Sequence, residues 1–384
     1  MPLLPFRVEF SGRAIADLQR RIDATRWPAI PFATGWSAGT DDRVLRELVR
    51  YWRSEFDWFA VQARLNRLAQ LRGPTGDPEG ELHCVLFAGE GAAGRPPLLL
   101  LHGWPGSFLE LLPAAELLAA GAGGGPAFEV VVPSLPGFGF SDAAPAPGMH
   151  PGRIAERMHA LMRELGYERY GVQGGDWGAI VATRLARLHP EAVTALHINF
   201  PARLPPPHEG EMGDGERAWR GSLAAWQQQE SAYSALQGTK PQTLAYALTD
   251  SPVGLLAWIL EKIWAWSDHA DHRDHGDDLW ETFSRDDVLA NVTLYWLTGT
   301  ALSAARTYYE SRREQPADQP EPRIEVPTAF ARFPGEPWAP PRAPVERAYR
   351  LVRWTEPERG GHFAALEQPR LFAEDVAGFF ATME

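Results

Sequence analysis

The sequence is nearly free of cysteine, with Cys84 the single example in 384 residues. A lone cysteine excludes an internal disulfide and any metal site built on paired thiolates. Positive charge is also scarce: 37 Lys and Arg stand against 49 Asp and Glu, for a formal net charge of −12. Nucleic acid and anionic membranes call for a basic face, so neither is an expected partner. No run of about 18 apolar residues occurs, so no membrane span is expected. The opening segment MPLLPFRVEF has no positive stretch ahead of a sustained apolar one, so it does not read as a secretory signal. The resulting expectation is a soluble cytoplasmic protein, with oligomeric state open and a homodimer possible.

Hydrophobic residues make up 45% of the chain and charged residues 22%, an ordinary globular balance that permits a large core. Thirty-six Gly and 34 Pro point to many connections, and 15 Trp supply bulky rings that can fill a core or line an apolar pocket. Residues 11 to 71 read as helical, opening with Ser11 as N-cap and continuing through DDRVLRELVRYWRSEFDW and FAVQARLNRLAQL. GPTGDPEGE (73 to 81) is rich in helix and strand breakers and marks a boundary.

Beyond it the pattern changes. LHCVLFA (82 to 88), PLLLLHG (97 to 103), FEVVVPS (128 to 134), YGVQG (170 to 174) and ALHINF (195 to 200) are short β-prone runs, several separated by helical stretches. Such alternation implies a mostly parallel sheet with helices on both faces, an α/β class of fold. Two Pro-rich connectors, 201 to 210 and 314 to 323, bracket a Trp-rich helical block without a clear strand. Strands then resume with VPTAFARF (326 to 333) and YRLVRW (349 to 354), and a last helix covers roughly 369 to 383. The bracketed block therefore reads as an insertion over the carboxyl edge of the sheet. The expected division is 1–76 as an N-terminal helical region packing on the core, 77–204 and 317–384 as core, and 205–316 as a cap. GAGGGP (121 to 126) follows a helix and opens none, so it reads as a surface loop and not a phosphate cradle.

The strongest chemical signal is YGVQGGDWGAIVATRLA. A strand ends at Gly174, and Gly175-Asp176-Trp177-Gly178 leads into a helix, the G-x-nucleophile-x-G grammar with Asp where Ser usually stands. Asp is also a common helix N-cap, so this segment alone leaves a structural role open. His102-Gly103-Trp104-Pro105 follows a buried strand, where a second backbone donor is needed; the Trp104 and Trp177 amides are the expected oxyanion hole. Gly360-Gly361-His362-Phe363 follows the last strand and supplies the histidine. Glu336 directly follows VPTAFARF and is the preferred acid. Glu325 precedes its strand, and Glu356 lies too close to His362 to return without a sharp turn.

With these motifs the chain resembles the microsomal-type epoxide hydrolases of the α/β-hydrolase superfamily, a group with juvenile-hormone and soluble bacterial members. The likeness runs nearly end to end, through ATRWP, YWRSEFDW, HGWPGSF, PSLPGFGFSD, GGDWGA, TKPQTLAYALTDSPVGLLAWILEKIWAW, LYWLTGT and GGHFAALEQP. It implies an α/β-hydrolase fold, hydrolysis of an epoxide by way of an Asp176 ester, and two cap tyrosines that donate to the epoxide oxygen. Tyr233 matches the first; Tyr308 matches the second, with adjacent Tyr309 left as an alternative. A phenol suits the task because ring opening creates a strongly basic alkoxide.

The anchoring segment of mammalian members has no match here, and Phe59 stands where the family often has a basic residue. His269, His272 and His275 alternate with aspartates in a cap loop, but without a fixed ligand spacing they read as a solvated loop. No cofactor and no metal are expected. The expected substrate is a small apolar or aromatic epoxide, with water as second reactant. A dehalogenase using the same Asp and a non-catalytic binding protein are the rival readings: the first needs halide donors in place of phenols, the second a lost catalytic residue.

Overall fold

The computed structural model describes residues 2–75, 80–202, 204–205, 212–268, 279–314 and 321–383. Nine strands form one sheet: β1 (Leu4–Pro5), β2 (Ala69–Pro74), β3 (Glu81–Phe87), β4 (Leu98–Leu101), β5 (Val130–Pro133), β6 (Tyr170–Gly174), β7 (Val193–Ile198), β8 (Ile324–Ala331) and β9 (Tyr349–Thr355). Their order is β1-β2-β3-β5-β4-β6-β7-β8-β9. The sheet is parallel from β5 to β9 and antiparallel at the β1–β2–β3 edge, including the β3–β5 pairing.

The central strands are apolar throughout because both of their faces are covered. Every residue of β4, β5 and β6 is buried. Along β4, Leu99 and Leu101 join one apolar cluster and Leu98 and Leu100 the other, as the two-residue period of a strand requires. Helices Pro151–Glu164 and Asp176–Leu188 cover the first face through Ile154, Met158, Val181 and Leu185. Leu112–Ala119 and Pro369–Phe380 cover the second through Leu118, Phe372 and Val376. Each such fully buried aliphatic side chain contributes about 1.5–3 kcal/mol of transfer free energy.

The N-terminal helices are Gly12–Asp23, Asp42–Ser54 and Trp58–Leu65, and Ser11 caps the first by accepting from the Ala14 amide. Helical character expected up to residue 71 is corrected here, since residues 69–74 are strand β2. Asn66 pairs both ways with the Val8 backbone (2.8 Å each) just past the helix end. Gln70 then donates to the Leu65 carbonyl and meets His83 of β3 at 3.0 Å, which fixes the register of the pairing. The region thus adds two strands to the sheet as well as helices. It also grips the helical block, through Trp52 Nε1 to Thr293 Oγ1 (3.0 Å) and Thr40 Oγ1 to the Ala257 carbonyl (2.7 Å).

Between β7 and β8 the described residues form helices only: Asp214–Glu230, Ala232–Thr239, Pro241–Asp250, Pro252–Trp266, Leu279–Thr282, Arg285–Thr298 and Ala301–Ser311. Among the described residues no single helix is long and apolar enough to cross a membrane. The glycine-rich 121–126 segment is a loop holding one short turn of helix, exposed at residues 123–125 and buried at Ala122.

Candidate active site

Strand β6 ends at Gly174, and the helix that follows starts at Asp176. Asp176 has φ = 48°, the only positive φ at a non-glycine residue among those described. A left-handed Asp is costly for an L-residue and is held only where its surroundings force it. The flanking glycines permit that closeness: a Cβ on Gly174 would overlap the Gly178 carbonyl, and one on Gly178 would overlap the Leu101 carbonyl of β4. The turn lifts the Asp176 carboxylate over the carboxyl edge of the sheet, at a helix start whose first amides have no acceptor within the helix.

Two groups meet that carboxylate. The Trp104 amide donates to Oδ1 at 2.8 Å, and His362 Nε2 lies 3.4 Å from Oδ2. Gly103 is required on the approach, because a Cβ there would strike the Asp176 side chain. The Trp177 amide lies in the first turn of the same helix, next to the carboxylate in sequence and free of an intrahelical acceptor. His102 does not reach the carboxylate by hydrogen bonding. Its Nε2 accepts from the Leu135 amide (3.1 Å), its Nδ1 meets the Gly103 carbonyl (3.1 Å), and burial lowers its pKa to about 4. It is therefore a neutral strut for the 102–104 loop.

His362 Nδ1 and Glu336 Oε2 are 2.7 Å apart, both side chains almost wholly buried. Of the rival acids, Glu325 and Glu356 are both exposed, and Glu356 accepts from the Trp354 indole. Burial disfavours a charged imidazole, but Glu336 and Asp176 together outweigh it and push His362 up to about 10. The two acidic side chains thus favour the charged form of the imidazole. The loop bearing His362 is held by Glu367, whose carboxylate accepts from the amides of Asp268 (2.8 Å), Gly361 (3.0 Å) and Phe363 (2.9 Å). Sequence reading missed Glu367, since an acid in a short helix gives no sign of facing inward.

Tyr233 and Tyr308 both project from the helical block toward this carboxylate, with ring centroids 5.9 Å apart. Burial raises both phenol pKa values well above 10 and the Asp176 charge adds to it, so both hydroxyls stay protonated. Tyr309 is placed differently: it is partly exposed, with the Arg313 guanidinium 3.3 Å from its ring centre. Neighbouring helical positions face about 100° apart, so only one of two adjacent tyrosines can face the site.

Aromatic rings close the space around these groups. Trp104 stacks on Tyr233 (5.3 Å), Trp177 meets Tyr308 edge to face (4.7 Å), and Trp266 packs on Tyr233 (5.2 Å). Trp338 and Phe200 stand 5.3 and 5.6 Å from the His362 ring. Lys262, buried and paired with Glu261, has its ammonium 4.7 Å from the Tyr233 ring centre; it too escaped sequence reading. A groove of about 1050 Å³ lies to one side, between Trp36, Trp226 and Trp264, and includes Glu336 but not Asp176 or His362. Among the described residues no group of His, Cys, Asp and Glu could hold a metal. His269, His272 and His275 lie outside the described residues.

The chain is similar to known proteins in sequence and in overall structure. The family model for the epoxide hydrolase N terminus matches residues 3–111, and that for the alpha/beta hydrolase fold matches residues 96–294. A Stigmatella aurantiaca protein with epoxide hydrolase in its name is 40% identical, over 98% of this chain and 84% of its own length. Epoxide hydrolase 1 of Oryctolagus cuniculus is 36% identical, over 99% and 89%. The crystal structure of juvenile hormone epoxide hydrolase from the silkworm Bombyx mori superposes with a TM-score of 0.84 at 33% identity, covering 99% of this chain and 94% of that one. The Aspergillus niger epoxide hydrolase structure does so with a TM-score of 0.84 at 29% identity, covering 100% and 97%.

Proposed function

This chain belongs to the epoxide hydrolase family of the α/β-hydrolase superfamily and is an epoxide hydrolase, and we propose that it works through a covalent ester on Asp176. In the first step Asp176 Oδ2 attacks an epoxide carbon. The carbon–oxygen bond of the ring breaks, and a phenol proton from the Tyr233–Tyr308 pair passes to the departing oxygen, leaving a hydroxyalkyl ester. In the second step a water oxygen bonds to the Asp176 carboxyl carbon while its proton passes to His362 Nε2. The amides of Trp104 and Trp177 stabilise the charge that develops on Oδ1. Collapse breaks the ester, His362 gives a proton to the diol oxygen, and the second water proton, left on the Asp176 carboxyl, passes back to the phenolate, so that carboxylate and phenol are both regenerated.

The observation that carries this reading is the placement of His362 Nε2 at Oδ2 with the Trp104 amide at Oδ1. One carboxylate oxygen faces the base, and the other faces a fixed donor. A serine in this place would form an ether that water does not cleave, so the reaction calls for a carboxylate. Esterification also removes one of the two charges that raise the His362 pKa. The imidazole is thereby released toward its neutral form at the stage when a base is needed.

We assign the helical block between β7 and β8 as the cap, since it delivers both phenols and the Trp266 ring. The rings of Trp104, Trp177, Phe200, Trp266 and Trp338 favour a small apolar or aromatic epoxide. The test is product analysis on a panel of aryl and alkyl epoxides and matched haloalkanes, with Asp176→Ala alongside. Diol formed by the wild type and lost in Asp176→Ala supports the proposal; diol formation that survives in Asp176→Ala sinks it.

A further inference from the structure

Among the described residues, Glu110 is a carboxylic acid near Asp176 that this mechanism leaves without a role. It sits in the short helix Phe108–Leu111, and although the residue is partly exposed its carboxyl turns inward. The carboxyl occupies the space beside Gly106, where a Cβ would overlap Oε2, and the amides of Ser107 and Gly103 face it. The other side of Gly103 abuts the Asp176 carboxylate. A single glycine peptide therefore separates the two carboxyl groups.

Glu110, Asp176, His362, Gln173 and Asn199 line one small cavity with about 20 Å³ open to the centre of a water molecule. That is room for about one water, which needs roughly 10–15 Å³ and two to four polar partners. Two polar atoms on this lining are buried without a hydrogen bond: Gln173 Oε1, and His362 Nε2, whose one neighbour is the Asp176 carboxylate at 3.4 Å. Unpaired buried polar atoms are costly unless a ligand or water meets them. Burial raises the Glu110 pKa to about 8, with Asp176 adding to it against His362, which favours the neutral carboxyl and lessens repulsion of its neighbour.

We propose that Glu110 is the positioning residue for the hydrolytic water, its carboxyl holding the water that His362 deprotonates for attack on the Asp176 ester. Glu110 itself forms and breaks no covalent bond: the water proton goes to His362 and the water oxygen to the Asp176 carboxyl carbon. The role rests on the two-step route proposed above. Behind Glu110, a second cavity of about 30 Å³, reached past Gly106 and Phe363 and bordered by Arg64 and Asp287, offers a further position for water.

The experiment separates the two half-reactions in Glu110→Leu and Glu110→Gln. Alkylation is followed by stopped-flow tryptophan fluorescence and the ester by intact-protein mass after acid quench. For Glu110→Leu, alkylation stays within about three-fold of wild type while ester hydrolysis falls about 30-fold or more, so kcat and KM drop together. Glu110→Gln, which still offers a carbonyl to the water, recovers hydrolysis to within about five-fold of wild type. Normal hydrolysis in Glu110→Leu overturns the role of Glu110, as does a Gln variant no better than the Leu one. If Glu110→Leu does not fold, Gln173→Leu reads the same water seat: a loss confined to hydrolysis supports the assignment, and unchanged hydrolysis overturns it. Absence of any ester in the wild type refutes the two-step route itself, a result distinct from an ester that Glu110→Leu hydrolyses normally.

Discussion

Replacing Glu336 with Gln should slow the second half-reaction and spare the first. The substitution keeps the shape of a side chain that is almost wholly buried, and the oxygen facing the Trp338 amide (3.2 Å) has a counterpart in Gln. What is lost is one negative charge 2.7 Å from His362 Nδ1. For charge centres about 4 Å apart, an effective dielectric constant of about 20 gives about 4 kcal/mol for a full ion pair. The imidazolium forms partly in the transition state for water attack, so about 2–4 kcal/mol is withdrawn, a loss of about 30- to 1000-fold in ester hydrolysis. Alkylation uses Asp176 and the phenols and should change by less than about five-fold. Rapid-quench measurement with excess substrate should therefore show a burst of one ester per enzyme followed by slow diol release. The reasoning fails if hydrolysis stays within two-fold of wild type, or if alkylation falls as far as hydrolysis.

Three further outcomes are expected. Single Tyr233→Phe and Tyr308→Phe variants each lose about 10- to 100-fold in alkylation and the double variant about 1000-fold or more, while hydrolysis of preformed ester stays near wild type in stopped-flow traces. Gly178→Ala, whose Cβ would overlap the Leu101 carbonyl, lowers the thermal midpoint and abolishes activity; a melt and turnover equal to wild type would contradict the elbow geometry. Both phenol pKa values are raised, so loss of the acid form begins only above the usual value of 10. Alkylation should accordingly show no descending phenol limb through pH 9, and a limb centred below pH 9 that disappears in the double Phe variant would contradict this.

Most strands were legible because each is a short apolar run set between breakers or helical stretches, and their fully buried character follows from coverage on both faces. Strand β2 was not, since Leu65, Leu68 and Leu71 continue a helical three-residue spacing. Asn66 and the partner strand β3 override that local signal, and neither is visible in periodicity. Asp176, Trp104 and His362 were readable because each lies in a local motif whose glycines are sterically required. Tyr308 and Tyr309 were indistinguishable by composition, and only the rotation of their helix separates them. Glu110 was invisible for a different reason: an acid in FLELL reads as solvent-facing, and only the glycine beside it makes room for an inward carboxyl.

The most direct test of the covalent ester is a single turnover in ¹⁸O-labelled water with enzyme in excess over an aryl epoxide. The first diol should carry no label, because its new oxygen comes from Asp176, and digestion should recover ¹⁸O in the peptide containing Asp176. Label in the first-turnover diol, with Asp176 unlabelled, would mean that water attacks the epoxide directly and that Asp176 is not the nucleophile.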